Sequence, residues 1–197
     1  MILCNLQNLL AERRINISQA SRDTGISRTT ITSLCTNTCQ GVQLDTVNTL
    51  CKYLDIGIEQ LILFTKYDFY IRFNIPYIDI ENFPQSEQGN FQIKINYFGR
   101  ESVCHIYCDV YFHYEKNYIT WLEVELDLGD ETSYSDDDPN KKVVLEENRI
   151  LRKVLSELQY PFKNWIKDEI KKKICYEYDL YVTEGYELTI NYPQELK

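Results

Sequence analysis

The sequence predicts a two-domain chain. Residues 1–65 should form a five-helix, all-α domain. Residues 66–197 should form an α+β domain, an antiparallel sheet packed with about two helices. Three observations carry this. Apolar residues recur at helical spacing through the first 65 positions, interrupted by a hinge glycine, Gly25. From Tyr67 the period changes to two: Phe91, Ile93, Ile95 and Tyr97 alternate with Gln92, Lys94 and Asn96. Helical spacing then returns with Leu151, Val154, Leu155 and Leu158.

Helix one is expected over about Leu3 to Arg14, with Leu6, Leu9 and Leu10 on one face. Asn16 is a candidate N-cap for helix two, and Gln19 three positions on gives capping-box spacing. Thr24-Gly25 should end that helix, because glycine accepts the positive φ of the turn. Ser27 caps a third helix that turns Ile31 and Leu34 inward and leaves Arg28, Thr29, Thr32 and Ser33 outward. A connection from Cys35 to Gln43 leads to helix four, about Leu44 to Leu54, which buries Val47, Leu50, Cys51 and Leu54. Ile56 to Phe64 reads as a short fifth helix.

Beyond residue 65, where 15 of the 16 tyrosines lie, strands are expected at Asp68–Phe73, Phe91–Tyr97, Val103–His113, Tyr118–Leu128 and Tyr186–Tyr192. An irregular stretch runs to Pro84, Gly99-Arg100 and Glu115-Lys116-Asn117 are turns, and Gly185 turns the chain into the last strand. Leu122, Val124, Leu126 and Leu128 face one way, and Trp121, Glu123, Glu125 and Asp127 the other, the pattern of a meander with one wet face. Val143–Leu158 is a helix. A second begins at Pro161 and carries Phe162, Trp165, Ile166, Ile170 and Ile174 as an apolar stripe.

An exposed helix of short hydroxyl side chains and one arginine, braced by a second helix, is what a DNA major groove admits. Thr24-Gly25-Ile26-Ser27-Arg28-Thr29-Thr30-Ile31 resembles the core of the Cro/C1-type (λ-repressor-like) helix-turn-helix family, and Asp45–Leu54 is similar to its fourth helix. The resemblance covers Leu6–Leu63. It implies DNA binding through Ser27, Arg28, Thr29, Thr30, Thr32 and Ser33, with Ser18 on helix two and Asn37 in the following loop. Arg28 is the candidate for reading guanine O6 and N7 together, Thr29 and Ser33 for a thymine methyl or base edge, and Thr30 and Asn37 for phosphate. Where the family often opens its second helix with a phosphate-contacting glutamine, this chain has Ile17.

Net charge is −9, but residues 1–65 hold five basic and five acidic side chains, so the whole imbalance lies in the second part. A neutral DNA-binding domain can still work through a few converging arginines and backbone amides, with weak non-specific affinity. No apolar run approaches the length of a membrane span, and the first residues lack the basic start and apolar stretch of a signal peptide. Seven cysteines without a secretion signal point to reduced thiols and a cytoplasmic setting.

No metal or cofactor is expected. Cys4, Cys35, Cys39 and Cys51 have no histidine near them in sequence, and in a strand Cys104 and Cys108 face opposite to His105 and His113. Cys39 is a candidate redox-sensing thiol. Asp127, Asp130, Glu131, Asp136, Asp137 and Asp138 lack the spacing of a calcium-binding loop and read as solvated. Lys163, Lys167 and Lys171, diluted by Asp168 and Glu169, read as a solvated helix face. The tyrosines suit either a protein interface or the rim of a sheet core. No catalytic grouping or phosphate-binding glycine loop is present, so an enzyme is not expected. The expected protein is a prokaryotic or phage transcriptional regulator, most simply a repressor. It would bind palindromic double-stranded DNA as a homodimer, with self-association through residues 66–197. The alternative is a phage-encoded inhibitor resembling some anti-CRISPR proteins, whose second domain binds a host protein while the first represses its own gene.

Overall fold

The computed structural model describes residues 1–74, 86–115, 118–129, 141–178 and 187–197, and the chain divides into two units, Met1–Lys66 and Tyr67–Lys197. Expected features at Pro84, Lys116-Asn117, Asp130, Glu131, Asp136 to Asp138 and Gly185 lie outside the described residues. The architecture is mixed α and β, with helices and a small ribbon in the first unit and a five-stranded sheet with two helices in the second.

The first unit runs β1 (Ile2–Cys4), α1 (Leu6–Glu12), α2 (Ile17–Thr24), α3 (Arg28–Cys35), α4 (Leu44–Leu54), α5 (Ile58–Leu61) and β2 (Ile62–Phe64). Its core gathers Leu6, Leu9, Leu10, Ala20, Ile31, Leu34, Val47, Leu50, Leu54 and Leu61. Two expectations are corrected here. Helix one does not reach back to Leu3, and the fifth helix does not extend to Phe64. Ile2–Cys4 and Ile62–Phe64 instead pair as an antiparallel ribbon with Ile2 opposite Phe64. Asn5 stops the helix from extending backwards. Its amide donates to the Leu61 carbonyl at 2.8 Å and its side chain to the Gln60 carbonyl at 3.2 Å, tying the end of β1 to the end of α5. Leu3 fits a helical stripe with Leu6 and Leu10 as well as a strand facing Leu63, and only the distant partner decides between them.

In the second unit the elements are β3 (Asp68–Asn74), β4 (Ser86–Tyr97), β5 (Arg100–Glu115), β6 (Tyr118–Asp127), α6 (Lys141–Glu157), α7 (Tyr160–Glu177) and β7 (Glu187–Asn191), closed by a 3₁₀ turn at Gln194–Leu196. The strands lie in chain order, β3 through β7. The expectation of a wholly antiparallel sheet is corrected at its far edge, where β7 runs parallel to β6, Leu122 opposite Leu188. Two helices separate these strands, and a helical crossover returns the chain in the same direction, where a hairpin would reverse it. The β4–β5 turn is Phe98-Gly99, one residue earlier than expected. Both residues have positive φ, 49° and 77°, as a two-residue hairpin loop requires.

β4 also starts five residues before its apolar alternation begins. At Gly89 in this extension, a Cβ would stand 3.0 Å from the Asn74 carbonyl oxygen and 3.2 Å from Cys108 Sγ, so a larger residue would make its neighbours shift by a few tenths of an ångström. Phe91, Ile93, Ile95, Ile106, Val110, Leu122 and Val124 point inward. α6 packs on β5 and α7 on β3, bringing Leu151, Leu155, Phe162, Ile166, Ile170 and Ile174 into the core. Pro161 sits in the first turn of α7. Trp165 is half-buried, its ring 6.5 Å from that of Phe69.

Candidate DNA-binding surface

The hinge between α2 and α3 is stitched by short side chains. Asn16 Oδ1 accepts the Gln19 amide at 2.9 Å and so caps α2. Gly25 takes φ 73° and returns its amide to the Ser21 carbonyl at 3.0 Å. Thr24 Oγ1 donates to the Ala20 carbonyl at 2.6 Å and accepts the Ile26 amide at 3.2 Å, while Ser21 Oγ donates to the Ile26 carbonyl at 2.7 Å. Ser27 Oγ accepts the Thr30 amide at 3.1 Å and lies 2.8 Å from Thr30 Oγ1. Ala20 and Ile31 are both fully buried, so the two helices meet at a methyl group and approach closely. Tyr53 on α4 braces the pair by donating its hydroxyl to Asp23 Oδ2 at 2.7 Å, and that bond raises the phenol above its usual pKa.

This framework presents one face of α3. Ser27, Arg28, Thr29 and Thr32 are exposed, and Arg28 forms no ion pair or hydrogen bond with any described residue. Thr30 and Ser33 are half-buried. Ser33 Oγ donates to the Thr30 carbonyl at 2.9 Å, and Thr36 Oγ1 does the same to Thr32 at 2.9 Å. Ser18 lies half-buried in the first turn of α2. The Ile17 and Ser18 amides stand ahead of the first bond inside that helix, at its positive end. Ile17 itself packs against the core.

A cleft of about 290 Å³ flanks α3, lined by Thr30, Ser33, Cys39, Gly41, Gln43 and Thr46 among others. Gln43 is the N-cap of α4, makes no capping bond through its side chain, and lines this cleft together with Thr30 and Ser33. Leu44, 80 % exposed, follows it. Sequence reasoning placed Gln43 only as the end of a connection. A polar residue that is not one of the usual capping types, immediately before an amphipathic helix, was the available signal.

Asn37 is corrected. Its Oδ1 accepts the Cys4 amide at 2.6 Å and its Nδ2 donates to the Cys4 carbonyl at 3.1 Å. The side chain that was expected to meet a phosphate is instead engaged with β1.

The thiols do not add a second centre. Cys4 and Cys35 are buried in the helical unit, each pushed up to about 11 by desolvation, and Cys39 and Cys51 are half-buried against the same core. Cys104 and Cys108 are buried under the sheet and pushed up to about 12 by desolvation. On the other alternates of β5, His105 Nδ1 lies 3.1 Å from Glu147 Oε2, and His113 stacks on Trp121 with ring centroids 4.2 Å apart. Among the described residues no three His, Cys, Asp or Glu side chains gather as a metal site would require.

Two helices joined through a left-handed glycine, with the second offering a polar face, define the first unit as a helix-turn-helix domain. Residues 5–66, the N-terminal third of the chain, match the family model of Cro/C1-type helix-turn-helix DNA-binding domains. A crystal structure of a candidate DNA-binding protein from Bacteroides fragilis aligns at 29% identity over 32% of this chain and 98% of that chain, with a TM-score of 0.29. No curated protein matches the chain. Among the described residues, no helix is long and apolar enough to cross a membrane.

Proposed function

We propose that this chain is a sequence-specific, cytoplasmic DNA-binding regulator of transcription, acting as a repressor and without enzymatic activity. The carrying observation is the α3 surface: Arg28, Thr29 and Thr32 project from a helix whose opposite side is locked by Ile31 and Leu34. Arg28 reads a base edge, and Thr29 and Ser33 supply shorter contacts. Thr30, Ser27, Ser18 and the open amides of α2 meet the backbone. One such helix contacts too few base pairs for useful selectivity. The operating species is therefore a homodimer on a palindromic operator, its half-sites about one DNA turn apart. Selection of bound duplexes from a random pool tests this. A palindromic consensus with that spacing is expected, whereas recovery of unrelated sequences would overturn the reading. Light scattering that showed a strict monomer, both free and on the selected duplex, would remove the dimer.

A second reading draws on the sheet of the second unit. Its outward alternates carry Asp109, Glu123, Glu125 and Asp127, and no lysine or arginine pairs with any of them among the described residues. Desolvation first, and then Asp109, Glu125 and Glu123, raise the Tyr111 phenol above its usual pKa. An uncompensated acidic face bearing aromatics suits a cationic protein partner, as a phage-encoded inhibitor of a host protein would need. Stoichiometric capture of one host protein by the full chain, abolished in E123Q/E125Q, favours this reading. Recovery of the chain alone would leave self-association as the role of the unit.

A further inference from the structure

Asn37 ends the recognition helix and also fastens it. Its φ is 54°, the left-handed conformation that asparagine tolerates better than most side chains. The Thr38 amide reaches back to the Ser33 carbonyl at 3.0 Å and the Asn37 amide to Leu34 at 3.4 Å, the paired bonds that close a helix at a left-handed residue. The side chain then does something this closure does not require. A carboxamide carries a donor and an acceptor side by side, as a peptide group does. Here both are used on one residue 33 positions away: Cys4 gives its amide to Oδ1 and receives Nδ2 at its carbonyl.

The side chain thus pairs with the outer edge of β1 as a neighbouring strand would. The inner edge of that strand is already held by β2 through Leu3 and Leu63. The C-terminal end of α3 is therefore hydrogen-bonded to a two-stranded ribbon, while its N-terminal end is fixed by the Ser27 cap and the glycine hinge. We propose that Asn37 is a positioning residue for base readout: it sets the angle at which α3 projects by clamping its far end to β1. This rests on the reading of α3 as the recognition helix. Ile31 and Leu34 hold the buried face of α3, but a helix whose far end is not fastened can still tilt about the hinge, and base contacts, which carry the sequence information, need the closer placement.

The test uses the full chain and the duplex it selects from a random pool. Asn37→Gly keeps the left-handed helix end, which glycine favours, and deletes both bonds to Cys4. Asn37→Asp keeps an acceptor for the Cys4 amide but sets a second oxygen against the Cys4 carbonyl. Thermal unfolding, exchange of the Cys4 amide, and affinity for the selected and a scrambled duplex across a salt series are measured together. Both variants should be fully folded at the assay temperature, with Cys4 exchange at least tenfold faster. In Asn37→Gly, affinity for the selected duplex should fall roughly tenfold, while scrambled-duplex affinity and the salt slope stay unchanged; Asn37→Asp adds a charge that repels any duplex and is read through Cys4 exchange and unfolding. Equal loss on both duplexes in Asn37→Gly, with the salt slope unchanged because a carboxamide carries no charge, would make Asn37 a phosphate contact and overturn the proposal. Unchanged affinity in fully folded Asn37→Gly would overturn it too, leaving the clamp as scaffolding. If the wild-type chain selects no duplex, the reading of α3 fails and the positioning role with it. Cys4 exchange would still show separately whether the clamp forms in solution.

Discussion

Arg28 occupies the first position of α3, exposed and unengaged, so its guanidinium keeps all its donors for an external acceptor. Replacing it with alanine should lower affinity for the preferred duplex by about 1–3 kcal/mol and relax selection at one base pair. Equal weakening on every sequence, measured by competition binding, would reassign it to a phosphate. Gly25 offers a cleaner test of the backbone. Nothing lies within 4 Å of where its Cβ would be, so Gly25→Ala meets no clash and pays only for φ 73°. A destabilisation of about 1 kcal/mol is expected from urea unfolding, since that is the scale of left-handed strain in an L-residue. Gly89 differs: its methyl would press on a neighbouring strand's carbonyl, so Gly89→Ala should cost more in the same assay.

Among the elements, β5 couples chemistry to stability most directly. Cys104 and Cys108 hold their protons up to about 12 in the folded sheet because burial disfavours the thiolate, against 9.0 for an exposed thiol. The native state therefore binds more protons than the unfolded chain above pH 9. Their contribution is complete below 9 and is lost as pH rises from 9 toward 12. Urea midpoints measured across that window should fall steadily, and C104A/C108A should flatten the fall. The same strand shows why some of the fold was legible. Its buried alternates Cys104, Ile106, Cys108, Val110 and Phe112 announce a half-buried strand without any partner. The turns of α2 and α3 were equally readable, because Asn16, Gly25 and Ser27 act on atoms within five residues of themselves. β1, β2 and the direction of β7 were not readable, since each is decided by a strand far away in the chain. Asn37 shows the same limit within the site. Its residue type suits a phosphate and a strand edge equally, and only the position of Cys4 chooses.

At the scale of the whole molecule, charge is segregated: residues 1–65 are neutral and the remainder carries the full −9. Among the described residues of the first unit, Arg14, Arg22, Arg28 and Lys52 are exposed without an ion-pair partner, whereas Arg13 donates to the Leu9 and Leu54 carbonyls. Each neutralised phosphate contributes about −0.9 to the slope of log affinity against log salt, so one protomer should show a slope no steeper than about −4. A much steeper slope in a binding titration would require cations from elsewhere in the assembly.

The parallel seating of β7 on β6 also bears on how the chain is made. The strands from β3 to β6 meet as successive hairpins and can zip up as they emerge during synthesis. The row of β6 amides and carbonyls that β7 covers must wait until both helices and the residues after them have been translated. A message cut short before residue 187 would leave that row open, and such a product should clump with its neighbours.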